Sequence, residues 1–140
     1  MTLLPFDINN NYFALDIKNI IEIIPIVRIE TIIEANKNIC GLINFRGELI
    51  PVVDLKKYMF NENSQLLLSS RIIIYKYTKQ VIGLIIEELT DTIELDTSKL
   101  IAESNSLSGS NLIKAYYIDD ENTVKVINIE NIFRAVFPNE

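Results

Sequence analysis

The sequence predicts a mainly β fold built from two small, pseudo-symmetric β-barrels side by side, with a few short helices. Three observations support this prediction: an apolar content dominated by isoleucine, apolar segments that alternate with short polar turns, and a weak internal repeat. Isoleucine is β-branched and favours strands, and a hydrophobic fraction of 49% excludes a disordered polar chain. The length of 140 residues fits one domain, residues 1–140.

Four hairpins are predicted where two apolar strands flank a polar turn. Their turn residues are asparagine, glycine, aspartate, lysine and similar types, which favour tight turns over continued strands. The strand pairs are residues 4–8 with 12–16, 41–46 with 49–54, 71–77 with 81–87, and 112–118 with 124–129.

Between these hairpins, three segments need separate treatment. Pro51 lacks a backbone donor, so its strand is predicted to lie at a sheet edge or to carry a bulge. Asp54 is predicted to cap a short helix over residues 55–60. Residues 17–24 contain isoleucines at helical spacing that also suit a buried strand, so both alternatives stay open. The Ser- and Asn-rich segment 102–111 predicts a loop.

A weak internal repeat relates the two halves of the chain, residues 6–60 and 71–133. Each half runs through a strand, a polar turn, a second strand, an Ile-Glu element, a hairpin and a final phenylalanine. A unit of this length is marginal alone, because a short chain buries a smaller share of its surface. We therefore expect each half to form one closed or nearly closed barrel, with a groove where the two meet.

Composition argues against an enzyme and against several kinds of binding protein. The chain has no histidine and a single cysteine, Cys40, which excludes His-dependent catalysis and a thiolate metal cluster, and no cofactor is expected. The net charge is -6 and the basic residues are scattered, so no nucleic-acid surface is expected. No apolar stretch is long enough to span a membrane, and no signal-peptide pattern is visible, so we expect a cytoplasmic protein.

Residues 41–55 carry the most specific pattern in the chain, Gly-Leu-Ile-Asn-Phe-Arg-Gly-Glu-Leu-Ile-Pro-Val-Val-Asp-Leu. This run closely resembles the signature of CheW-like domains, which includes an apolar-Asn strand, Arg-Gly, and an apolar-Pro-Val-apolar-Asp-Leu run. Residues 12–23, 81–88 and 112–133 resemble further elements of that family in the same order. The resemblance covers nearly the whole chain and implies a fold of two SH3-like barrels.

The resemblance to CheW-like domains implies a signalling adaptor that catalyses no reaction. Such an adaptor couples the cytoplasmic tips of methyl-accepting chemoreceptors to the regulatory domain of a CheA-type histidine kinase, which has the same double-barrel fold. It neither binds nucleic acid nor inserts into the membrane directly, and it is recruited to membrane receptor arrays. We also keep one alternative of a different class, a small β-barrel that binds a ligand in its interior, which would need a cavity lined by several polar groups.

Four residues form the partner-binding site that the resemblance implies: Ile20, Glu22, Ile43 and Arg46. Arg46 is expected near the receptor-binding groove, with Glu22 as its charge partner, because an arginine–carboxylate pair fixes geometry as well as adding energy. Ile20 and Ile43 are expected to contribute apolar contact if they are exposed, although isoleucine is found at least as often in a core.

Three further residues are predicted to support this site through the backbone. Gly41 is expected to permit a bulge and Gly47 a positive φ angle. Asp54 is expected to act through the helix that it caps.

Overall fold

The computed structural model describes residues 2–32, 36–89, 93–94, 100–102, 112–119 and 122–138. The chain divides into two compact units, of which unit 1 is Met1–Lys18 with Leu89–Ile132 and unit 2 is Asn19–Glu88 with Phe133–Glu140. Most of the predicted loop at 102–111, and the tip of the predicted turn at 119–122, lie outside the described residues.

Strands dominate the described part of the chain, as the isoleucine-rich composition predicts. Their bounds in chain order are β1 (Thr2–Ile8), β2 (Asn11–Asp16), β3 (Ile20–Pro25), β4 (Gly41–Phe45), β5 (Glu48–Asp54), β6 (Arg71–Tyr77), β7 (Gln80–Ile86), β8 (Ile93–Glu94), β9 (Leu100–Ala102), β10 (Ile113–Asp119) and β11 (Asn122–Ile127). The helices are α1 (Leu55–Phe60) and α2 (Ile129–Val136), and a 3₁₀ turn covers Ile17–Asn19.

Unit 1 contains a sheet with the strand order β8-β1-β2-β11-β10-β9. The pairing of β2 with β11 is parallel, whereas the other neighbours are antiparallel. The hairpin between β1 and β2 turns at Asn9 and Asn10, which both have positive φ angles, as asparagine tolerates better than most residues. The buried cluster of unit 1 consists of Leu3, Ala14, Tyr117, Val124 and Val126.

Unit 2 contains a five-stranded sheet with the order β3-β6-β7-β5-β4. Here β5 and β7 are parallel, and the other pairs are antiparallel. Among the described strands, neither this sheet nor that of unit 1 closes into a barrel, so the prediction of closed barrels is corrected. The mainly β fold with two sheets is confirmed. The buried cluster of unit 2 consists of Ile43, Ile50, Val52, Ile72, Ile74 and Ile85.

The repeat seen in the sequence is present, but the two sequence halves do not each form a sheet. Strands β1 to β5 with α1 correspond in order to β6, β7, β8, β10, β11 and α2. The first hairpin of each repeat pairs in parallel with the last strand of the other repeat, through β2–β11 and β7–β5. The division into residues 6–60 and 71–133 is therefore corrected, because the strands of each sheet come from both halves.

The structure decides two local questions that the sequence raised, the conformation of residues 17–24 and the position of Pro51. The ambiguous segment 17–24 is a 3₁₀ turn followed by strand β3, so the helical alternative is wrong. Pro51 lies in β5, which is an internal strand with unbroken register to β4, so the predicted edge strand and the predicted bulge are both absent. The ladder from β5 to β7 begins only at Val52, so Pro51 pairs with β4 alone.

The end of the chain packs against unit 2 through aromatic rings. Phe133 of α2 lies 6.4 Å from Tyr75 and 5.4 Å from Tyr77 between ring centroids, and it stacks on Phe137 at 6.2 Å. Such ring pairs add to the stabilisation that burial alone provides. Within the described residues, no helix has the length and apolar character needed to cross a membrane.

Candidate partner-binding site

The turn between β4 and β5 consists of Arg46 and Gly47. Their φ angles are +52° and +85°, and a type I′ hairpin turn requires positive φ at both central residues. Gly47 adopts this conformation without steric cost, so the positive φ predicted for it is confirmed. Asn44 stabilises the turn further, since its Oδ1 accepts a hydrogen bond from the Gly47 N–H at 3.0 Å.

Within the described residues, the Arg46 side chain contacts two side chains of unit 2. Its Nη2 donates to Oε1 of Glu22 on β3 at 2.6 Å, and its guanidinium lies over the Phe45 ring, 4.8 Å from the centroid. The structure thus brings Arg46 to the charge partner that we predicted. The arginine and glutamate side chains remain 66% and 42% exposed, so another molecule can reach both.

Stability does not account for an arginine at this turn. A residue other than glycine in the left-handed region costs on the order of 1–3 kcal/mol. An exposed ion pair returns only about 0.2–1 kcal/mol. Arg46 therefore holds an unfavourable backbone conformation with little gain in folding free energy, which is the pattern expected of a residue retained for binding.

The two predicted apolar contacts, Ile20 and Ile43, differ in accessibility. Ile20 is half-buried at the start of β3, opposite Tyr75. Ile43 has 0% exposure and lies within the buried cluster of unit 2. The contact predicted for Ile43 is therefore corrected, because its side chain is fully buried in the core of unit 2.

Gly41 supports the hairpin in a different way from the one predicted. The register between β4 and β5 runs from Gly41 to Phe45 without a shift, so the expected bulge is absent there. Instead a Cβ at Gly41 would lie 2.4 Å from the backbone oxygen of Glu30 and 2.6 Å from Ile29. Glu30 and Leu42 exchange two backbone hydrogen bonds of 2.8 Å, and this pairing requires the close approach.

Asp54 caps α1 as the sequence predicts. Its carboxylate accepts the Lys57 N–H at 3.4 Å and both the N–H and the hydroxyl of Ser64, at 2.8 Å and 2.5 Å. One side chain therefore joins the end of β5, the first turn of α1 and the loop that follows α1.

Several residues on or next to the strands that carry this site are missed by the sequence analysis. Ile21 and Ile23 on β3 and Leu49 on β5 are exposed by 40%, 41% and 64%. Asn44 and Phe45 are missed as well, although an asparagine just before an Arg-Gly turn is itself a signal of turn stabilisation. The alternation of Ile21, Glu22 and Ile23 would have placed the glutamate toward solvent and the isoleucines inward, so it gave no signal that both isoleucines are exposed.

The arrangement suits contact with another protein better than chemistry on a small substrate. In the part of the chain that the structure describes, no three potential metal-ligating side chains come together. Exposed apolar side chains beside a charged hairpin tip are typical of surfaces that bind other proteins. The fold and this surface define a mainly β protein-binding module.

Comparisons with known proteins agree with this class. The family model described as the CheW-like domain matches residues 2–137. The chemotaxis protein CheW of Helicobacter pylori is 24% identical over 134 residues, which cover 94% of this chain and 81% of that protein. The Bacillus subtilis chemotaxis protein CheW is 37% identical over 62 residues, which cover 44% and 40%.

A solved structure is also similar to this chain over most of its length. The crystal structure of the scaffolding protein TtCheW from Thermoanaerobacter tengcongensis is similar with a TM-score of 0.84 and 27% sequence identity, over 94% of this chain and 91% of that one. The chain belongs to the CheW-like domain family. Its function is accordingly that of a chemotaxis adaptor.

Proposed function

We propose that this adaptor couples the cytoplasmic tips of methyl-accepting chemoreceptors to the regulatory domain of a CheA-type histidine kinase, and that it catalyses no reaction. Family membership supports the general role. The exposed pair of Arg46 and Glu22 supports a specific contact. This adaptor works in the cytoplasm and joins the membrane through the receptors that it binds.

The receptor contact is assigned to Arg46, Glu22 and Ile20, and Gly47 holds the turn. Arg46 carries this assignment because it is exposed, is oriented by two neighbours and occupies a backbone conformation that glycine would adopt more easily. A buried interface arginine is commonly among the side chains that dominate binding energy.

The kinase contact is assigned to the open sheet edges rather than to the Arg46 turn. In unit 1 the outermost strands are β8 and β9, and an open edge is a template to which a strand of another β domain can pair. Separate surfaces would allow receptor and kinase to bind at the same time, as an adaptor requires.

The test uses charge reversal at the ion pair, with receptor fragment and kinase regulatory domain titrated separately. Arg46→Glu and Glu22→Lys are each expected to weaken receptor binding by about 30-fold, which corresponds to about 2 kcal/mol. The double variant restores an opposite pair, so part of the receptor affinity should return.

Arg28→Glu provides the matched control, because Arg28 forms another exposed ion pair in unit 2, with Glu30 at 3.0 Å. It should leave receptor binding within about threefold of the wild type. If Glu22→Lys abolishes kinase binding and spares receptor binding, the division of the two surfaces is wrong.

A further inference from the structure

A cavity of about 430 Å³ lies at the end of the β4–β5 hairpin that is farthest from Arg46. Its size falls within the range of about 300–1,000 Å³ typical of small-molecule pockets. The lining residues all belong to unit 2, and they are Lys37, Asn38, Cys40, Asp54, Lys57, Tyr58 and Asn61.

Two cationic side chains border this cavity without a counter-ion. Among the described residues, neither Lys37 nor Lys57 takes part in a salt bridge, whereas the neighbouring Lys56 pairs with Glu87 at 3.5 Å. Both lysines are exposed, and two ammonium groups carried by lining residues of one concavity repel each other and attract anions.

The one carboxylate in the lining offsets part of this positive charge, since Lys37 and Lys57 against Asp54 leave a formal charge of +1. Asp54 already accepts hydrogen bonds from Ser64 and Lys57 through both of its oxygens. The lining also includes residue types that can donate hydrogen bonds, among them Asn61 and Cys40. Burial raises the pKa of Tyr58, and burial together with the nearby Asp54 charge raises the pKa of Cys40, so both stay neutral at pH 7.

We propose that this cavity binds a small phosphate-bearing anion, with the ammonium groups of Lys37 and Lys57 as its counter-charges. Lysine acts as a compact point charge toward phosphate, and two such charges suit a group that carries more than one negative charge. The site lies away from the Arg46 turn, so it is a separate function from receptor coupling.

Cys40 provides a direct readout of occupancy, because it lines the cavity and is the single cysteine of the sequence. We would measure its rate of alkylation by iodoacetamide with increasing inorganic pyrophosphate. Bound anion should lower the rate constant by about threefold or more at saturation, by covering the thiol and by disfavouring the thiolate. Sodium chloride at matched ionic strength should leave the rate almost unchanged.

The lysines are tested with Lys37→Gln combined with Lys57→Gln, against Lys18→Gln combined with Lys76→Gln as a control of equal charge outside the cavity. The ratio of rates with and without pyrophosphate is taken within each variant, because lysines also affect thiol reactivity directly. Protection should disappear in the cavity variant and persist in the control.

Three outcomes would overturn the proposal. The first is that pyrophosphate gives no protection in the wild-type protein. The second is that protection survives in the cavity variant while both variants remain folded by thermal melting. The third is that succinate protects as well as pyrophosphate. The last result would show a general response to dianions rather than recognition of phosphate. None of these readouts depends on receptor or kinase binding.

Discussion

The β4–β5 hairpin connects two different environments, the exposed turn at Arg46 and the packed base at Gly41 and Asp54. At the turn, side chains contact one another in solvent and the backbone is held in an unfavourable conformation. At the base, the Glu30 backbone and the Ile29 side chain approach Gly41 too closely for any side chain there, and one carboxylate joins three elements. Free energy of folding is therefore concentrated at the base, which leaves the turn free to serve binding.

Gly41→Ala should produce the largest loss of stability at the base. The new Cβ would lie 2.4 Å from a backbone oxygen that cannot move without breaking the Glu30–Leu42 pairing. We expect a loss of about 3 kcal/mol or more in the free energy of unfolding, measured by urea denaturation. A loss below about 1 kcal/mol would show that residues 29–30 can shift at little cost. It would contradict the conclusion that the base of the hairpin is more tightly packed than its turn.

Asp54→Ala should cost about 2 kcal/mol, because it removes a helix cap and leaves the Ser64 donors without their acceptor. Asp54→Asn keeps an acceptor oxygen but not the charge, so it should retain part of that stability. Both values come from the same urea melts. An alanine variant as stable as the wild type would mean that the loop after α1 contributes nothing to the base.

Gly47→Ala separates conformational cost from steric crowding. Nothing lies within 4 Å of the position that a Cβ would take, but the φ of +85° disfavours any residue with a side chain. The expected loss is about 1 kcal/mol, clearly smaller than for Gly41→Ala. Equal losses at the two glycines would contradict the distinction between an open turn and a packed base.

Arg46→Gly should have the smallest effect on folding and a clear effect on binding. Glycine relieves the left-handed strain at φ +52°, while the exposed ion pair and some chain entropy are lost, so stability should stay within about 0.5 kcal/mol of the wild type. Receptor-fragment titration should show weakened binding. A variant that loses stability and affinity in proportion would identify Arg46 as a support of the fold.

Features that depend on local chemistry could be predicted from the sequence. The polar turns predicted hairpins, Asp54 predicted a helix cap over the observed bounds of α1, and Gly47 predicted a positive φ. The turn itself lies one residue earlier than predicted, at Arg46 and Gly47, because Arg46 belongs to the turn and not to the strand. The ion pair of Arg46 with Glu22 was also predicted, but from a family resemblance rather than from spacing, since 24 positions separate the two residues.

Features that depend on distant parts of the chain could not be predicted. The exchange of strands between the repeats rests on the parallel pairs β2–β11 and β5–β7, and apolar strands alone do not identify their partners. The role of Gly41 depends on residues 29–30, and the burial of Ile43 depends on strands from later in the sequence. The binding roles of Ile20, Glu22 and Arg46 stay predictions until the titrations are made.

The exchange of strands between repeats also has a consequence for folding during synthesis. Unit 1 joins β2 to β11, near the opposite end of the chain, so its sheet cannot be completed until β11 has left the ribosome. Chains dominated by such distant pairings fold slowly, and an early hairpin with an unpaired edge is exposed to aggregation in the meantime. The nascent chain is therefore expected to depend on chaperones between the emergence of β2 and that of β11.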